Sequence, residues 1–157
     1  MTAPIEILTP EQKAAIFQQC NSQPCQDAVA RLTNARNAFP VICNRIAVWS
    51  SSRIWYAATA ATAYAASLAS AIAAAAATAT ATIIGIPLAA VLWVAAVVFL
   101  LAALTLTVLA VNAAVQYGKA QDDLTNAQTE FNAAATDART KCGAYCNIGD
   151  TKMPACP

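Results

Sequence analysis

Residues 71–87 read AIAAAAATATATIIGIP. The run is uncharged and apolar, yet it lacks the bulky residues that usually make a membrane span. It fits a transmembrane helix, a buried core helix or low-complexity filler. Gly85-Ile86-Pro87 at its end is the one break signal in the surrounding apolar chain. Glycine permits a left-handed cap and proline cannot continue a helix, so the pair predicts a stop and a restart. The connection is short, so the flanking helices are expected to lie antiparallel. The expected fold is all-α. It is a long antiparallel transmembrane hairpin over about 41–84 and 88–141, with the turn at 85–87, two short N-terminal helices and a disulfide-pinned polar end.

Charge distribution places this hairpin in the chain. No Lys, Arg, Asp or Glu occurs between residues 54 and 118 of the 157. A helix on the surface of a soluble domain needs a polar face, and these 65 positions supply no charged residue for one. The chain reads as two parts, a Cys-containing helical base from 1–53 and 119–157 and an apolar hairpin from 54–118. Net charge is +1, which argues against nucleic acid or an acidic partner as the main target. There is no histidine, the commonest general base and metal ligand.

The two arms differ in bulk. Residues 88–111 hold 14 Leu, Val or Phe and favour a bilayer unaided. Residues 57–82 hold 16 Ala and 5 Thr, with Leu68 and Ile72 as the large aliphatics. Such an arm suits packing against other helices, and Ser67, Ala71, Ala75 and Ala79 offer small-xxx-small spacing for it. Aromatic residues supply a ruler. Trp55, Tyr56 and Tyr117 each lie about 45 Å from the turn at 1.5 Å per residue, and Trp93 lies about 9 Å from it. The two levels are about 36 Å apart, matching a membrane-interface belt on either side of a 30 Å hydrocarbon core.

At the polar end, Thr9-Pro10-Glu11-Gln12 is a helix start, with Thr9 as N-cap, Pro10 at N1 and Gln12 able to close a capping box. This helix is expected to reach about Cys20. A second is expected from the Asn21–Pro24 turn to about Ala38, broken near Pro40, with a third continuing from Val41 into the Ala-rich arm. Asn112 to Lys141 reads as helix with a narrow apolar stripe, ended by Gly143.

The six cysteines, Cys20, Cys25, Cys43, Cys142, Cys146 and Cys156, fall three on each side of the hairpin. An even count confined to the polar part predicts disulfides. Zinc fits poorly, because the close spacings are C-x4-C and C-x3-C without histidine. If the second helix continues downward from Pro40, Cys25 reaches the level of Cys142, and the tail from Cys146 to Cys156 can return about 20 Å. The expected pairing joins Cys20 and Cys25 to Cys142 and Cys146, and Cys43 to Cys156.

An enzyme is not expected. Asp122 and Asp123 are adjacent on a helix and point to different faces, and no Gly-rich phosphate loop occurs. No cofactor and no metal is expected. The hydroxyls of Thr59, Thr62, Thr78, Thr80, Thr82, Thr105 and Thr107, with Ser67 and Ser70, can line a polar seam or pore, or bond the carbonyl four residues back. Both termini belong on one side of the membrane. Arg36, Arg45, Arg53 and Lys119 would place that side in the cytoplasm, whereas disulfides favour the oxidising side. Glu6, Glu11 and Lys13 interrupt any signal-peptide core. The non-cytoplasmic side is the expectation.

Three functions follow. The first is a non-catalytic membrane protein that contacts the lipid bilayer and self-associates into a structural or channel-like homo-oligomer. The second is a secreted pore-forming protein. Its hairpin resembles the hydrophobic hairpin of pore-forming colicins in composition and turn over about 65 residues, and no individual residue carries over. The third is a filament subunit with an apolar two-helix body, similar in outline to conjugative pilins, though longer and without a shared motif.

Overall fold

The computed structural model describes residues 8–79 and 85–156. Every regular element among them is helical: α1 (Pro10–Cys20), α2 (Gln23–Ala79, 57 residues) and α3 (Gly85–Cys142, 58 residues). The chain divides into two compact units. Unit 1 comprises Met1–Arg45 and Ala120–Pro157, and unit 2 comprises Ile46–Lys119. Helices α2 and α3 run through both. The charge-free stretch 54–118 lies wholly inside unit 2.

α1 starts as its sequence dictates. The Gln12 amide donates to the Thr9 hydroxyl at 3.3 Å and the Thr9 amide donates to Gln12 Oε1 at 2.9 Å, closing the capping box with Pro10 at the start. At the far end of α3, Gly143 takes φ +78°, and its N–H donates to the Arg139 carbonyl at 3.1 Å. That left-handed cap suits glycine. A β-carbon there would also stand 3.2 Å from the Gln19 side chain, which itself donates to the Lys141 carbonyl.

Two expected boundaries are corrected. The two segments expected on either side of Pro40 are one continuous helix, so only α1 is a short N-terminal helix. An interior proline costs about 3 kcal/mol, because it removes one backbone hydrogen bond and crowds the carbonyl four residues back. Tertiary contacts outweigh it here. Phe39, 1% exposed, packs edge-on against Phe131 with ring centroids 5.8 Å apart, and Cys43 is tied to Cys156 just beyond. Pro40 itself faces solvent. Likewise, Gly85 and Pro87 belong to the first turn of α3, not to the turn between helices. A proline there removes an N–H that has no intrahelical acceptor anyway. The connection between Ala79 and Gly85 lies outside the described residues.

In unit 1 the helices are antiparallel, as the descending partners of Cys25, Phe39 and Arg45 show: Cys142, Phe131 and Asp123. The core is Ala28, Leu32, Phe39, Phe131, Ala134, Ala135 and Ala138, with Leu124 and Ile148 packed against it. Disulfides join Cys20 to Cys146, Cys25 to Cys142 and Cys43 to Cys156, which agrees with the expected grouping and resolves the pairing among Cys20, Cys25, Cys142 and Cys146. They clip α1 to the C-terminal tail, α2 to α3, and α2 to the tail's end. Ion pairs decorate the outside: Arg31–Glu130 at 2.7 Å, with Arg36–Asp150 and Arg45–Asp123 both at 3.1 Å. The Arg31 guanidinium holds the Glu130 carboxyl below its ordinary range, chiefly through their hydrogen bond. The Asp150 carboxyl is lowered chiefly by the backbone N–H of Lys152, with Arg36 adding to it.

Candidate functional site

Unit 2 is an antiparallel helix pair with no charged residue over most of its length. Arg53 on α2 stands over the Tyr117 ring of α3 at 4.0 Å, and further along Ser67 meets Ala96. The Ser67 hydroxyl donates to the Ala96 carbonyl at 2.9 Å. So short a side chain reaches a neighbouring helix's backbone only where small residues let the two helices approach closely.

The contact surface is built from alanine. Ala60 and Ala74 on α2, and Ala89, Ala96, Ala103 and Ala113 on α3, are buried, Ala74 and Ala103 fully so at 0% exposure. Ala89, Ala96, Ala103 and Ala110 recur at intervals of seven. That spacing keeps one stripe facing a partner helix. The large residues point the other way. Val91 is 65% and Val108 68% exposed, and Leu68, Ile72, Leu88, Val94, Leu101 and Leu104 are also outside. Apart from Phe17, Val41, Tyr145 and Met153, every exposed large apolar side chain among the described residues falls between Val48 and Val115. Both long helices are long and apolar enough to cross a membrane.

The small-residue stripe expected on α2 divides. Ser67 and Ala71 are half-buried, whereas Ala75 and Ala79 are exposed. A spacing of four residues advances about 40° past each full turn, so the stripe winds away from α3. Alternating steps of three and four hold position instead, and Ala74 takes the buried place. Of the aromatic residues, Trp55 and Trp93 are exposed. Tyr56 and Tyr117 are half-buried, Tyr56 edge-on to Trp55 at 5.1 Å and Tyr117 beneath Arg53.

The threonine hydroxyls bond within their own helices. Thr59 donates to the Trp55 carbonyl, Thr62 to Ala58, Thr105 to Leu101 and Thr107 to Ala103, at 2.8–3.0 Å. Thr78 donates to the carbonyls of Ala74 and Ala75. Thr80 and Thr82 lie outside the described residues. Back-bonded hydroxyls carry their polarity on a carbonyl of the same helix, which leaves the outer surface apolar.

The sequence reading singled out bulk on one arm and smallness on the other. It missed the seven-residue alanine repeat, legible at Ala89, Ala96, Ala103 and Ala110, and the meeting of Arg53 with Tyr117. Comparison of the chain with protein-family models, with curated proteins and with solved structures finds no match.

Proposed function

We propose that the chain is a non-catalytic integral membrane protein whose apolar hairpin lies in a lipid bilayer and self-associates into a structural or channel-like homo-oligomer. One observation carries the reading: unit 2 buries alanine and exposes valine, leucine and tryptophan. Full burial of a valine or leucine is worth about 1.5–3 kcal/mol, and in water each of these side chains would forgo a large part of it. Continuous apolar surfaces of this kind belong to membranes or to other protein surfaces. The back-bonded threonines fit the same setting, since a hydroxyl without a partner is costly in hydrocarbon. Ala75 and Ala79 are the surface offered to a second copy, because small exposed residues on a lipid-facing helix allow close approach. The base with its three disulfides lies on the oxidising side, with both termini.

Carbonate washing of membranes, followed by non-reducing native mass spectrometry from detergent, tests this. The expected result is a membrane-retained oligomer with all six cysteines paired. A monomer that stays soluble without detergent or lipid overturns it. The second reading is a secreted protein that inserts its hairpin from outside. Three disulfides together with basic residues flanking the hairpin suit it, since a protein inserting from outside is not oriented by the positive-inside rule. Its mark is a soluble form that permeabilises liposomes. Fibres with subunits repeating along an axis would indicate the filament alternative instead.

A further inference from the structure

Along α2, Arg31, Arg36 and Arg45 each pair with a carboxylate. Arg53 does not: among the described residues it meets no Asp or Glu, and it stands over the Tyr117 ring. A ring face supplies no acceptor oxygen for the guanidinium's five N–H donors. Arg53 also borders an open groove of about 640 Å³ between α2 and α3 within unit 2. The groove runs from Arg53 to Tyr64 on α2, and Ala60, Ala61 and Ala110 line it beside Val111. It exists because alanines leave space that larger neighbours would fill. Apart from Arg53, no charged residue lines it.

The length is informative. Eleven residues of helix, from 53 to 64, span about 16 Å. Half of a 30 Å hydrocarbon core is about 15 Å, the depth of one leaflet. The groove is thus an apolar channel one leaflet deep with a cation at its end, and Lys119 lies two residues beyond Tyr117 in sequence. We infer that it holds one acyl chain of an anionic phospholipid, whose phosphate accepts hydrogen bonds from the Arg53 guanidinium. Apolar lining matches the chain, and the guanidinium fork matches the phosphate. This assignment rests on the membrane reading above.

The test uses the full-length, disulfide-intact protein in detergent, titrated with phosphatidylglycerol or with phosphatidylcholine of identical acyl chains. Bound lipid is counted by native mass spectrometry. Wild type is expected to retain one phosphatidylglycerol per protomer, with at least tenfold preference over phosphatidylcholine. Arg53→Gln should reduce the preference below twofold, and Arg53→Lys should restore part of it. Ala61→Trp, which fills the groove, should abolish retention of both lipids. Circular dichroism and the intact disulfide mass establish that each variant is folded. Equal retention of the two lipids by wild type overturns the inference, as does a preference that survives Arg53→Gln. If Ala61→Trp instead splits the oligomer and leaves lipid retention unchanged, the groove receives a second copy, and the lipid assignment fails. Membrane retention is scored separately by carbonate washing, so loss of the lipid site and loss of the membrane reading give different results.

Discussion

The same two helices build both units, yet the units sort their side chains in opposite ways. In unit 1, Phe39, Phe131 and Leu32 are inside, and Arg31, Glu130, Arg45 and Asp123 are outside. In unit 2, alanines are inside and valines, leucines and two tryptophans, Trp55 and Trp93, are outside. Unit 1 follows the rule for a domain in water, where apolar bulk is withdrawn from solvent. Unit 2 obeys a different requirement: its helices meet through small residues, and its bulk faces whatever surrounds it. The contrast shows that a helix pair does not by itself specify its solvent. The choice of which residue types occupy the facing stripe does.

The contrast is most strongly broken at the disulfides. Reducing all three should unfold unit 1, since each closes a separation of 113 residues or more. Single removals typically cost about 2–5 kcal/mol. Unit 2 in detergent should keep its helicity, so circular dichroism should show a partial loss in place of a complete one. Phe131→Ala should cost about 3–5 kcal/mol in unit 1, as expected for deleting a buried aromatic, measured by chemical denaturation in detergent.

Unit 2 should invert that rule. Enlarging its interior with Ala103→Leu should destabilise the helix pair by about 1–3 kcal/mol through overpacking. Trimming its exterior with Leu101→Ala should leave pair stability in detergent nearly unchanged. If Leu101→Ala proves the more damaging, the inside-out assignment is wrong. If the chain self-associates as proposed, replacing Ala75 and Ala79 with leucine should shift detergent-solubilised protein toward smaller species. Unchanged oligomer mass would remove those two residues from the interface.

The smallest effect is electrostatic and confined to unit 1. Glu130 and Asp150 have carboxyls lowered in the folded protein. Their contribution is therefore complete above the ordinary carboxylate range and is lost as pH falls below that range, through the lowered folded values. Both are exposed, so the loss should be slight. Glu130→Gln should flatten the acid limb of a stability titration, and an unchanged limb would show that the Arg31 pair contributes nothing.

Some of this is legible in the sequence alone. The charge-free run from 54 to 118 marks a hairpin that cannot present a polar face, because composition alone decides that. Thr9, Pro10 and Gln12 declare a helix start because capping is local. Helix rise and tail length, both properties of the backbone, group Cys20 and Cys25 with Cys142 and Cys146, and Cys43 with Cys156; the structure selects Cys20–Cys146 and Cys25–Cys142 within the first group. Pro40 was misread for a physical reason: its local cost is real, but Phe39 and Cys43 hold the helix through contacts with residues about 90 and 113 positions away. Gly85 and Pro87 were misread because the same residues serve a turn and a first helical turn equally well.

What the sequence determined by itself was which residues are available: an uncharged pair of arms, one small and one bulky, between two cysteine-bearing ends. What only the tertiary structure decided was which way each residue faces. Helical periodicity permits several stripes in an alanine-rich arm, since Ala74 and Ala75 are chemically identical. The partner helix selects among them by proximity, burying Ala74 and leaving Ala75 exposed. The same pairing brings Arg53 to Tyr117 at the edge of a groove, a meeting across 64 residues that no local spacing encodes.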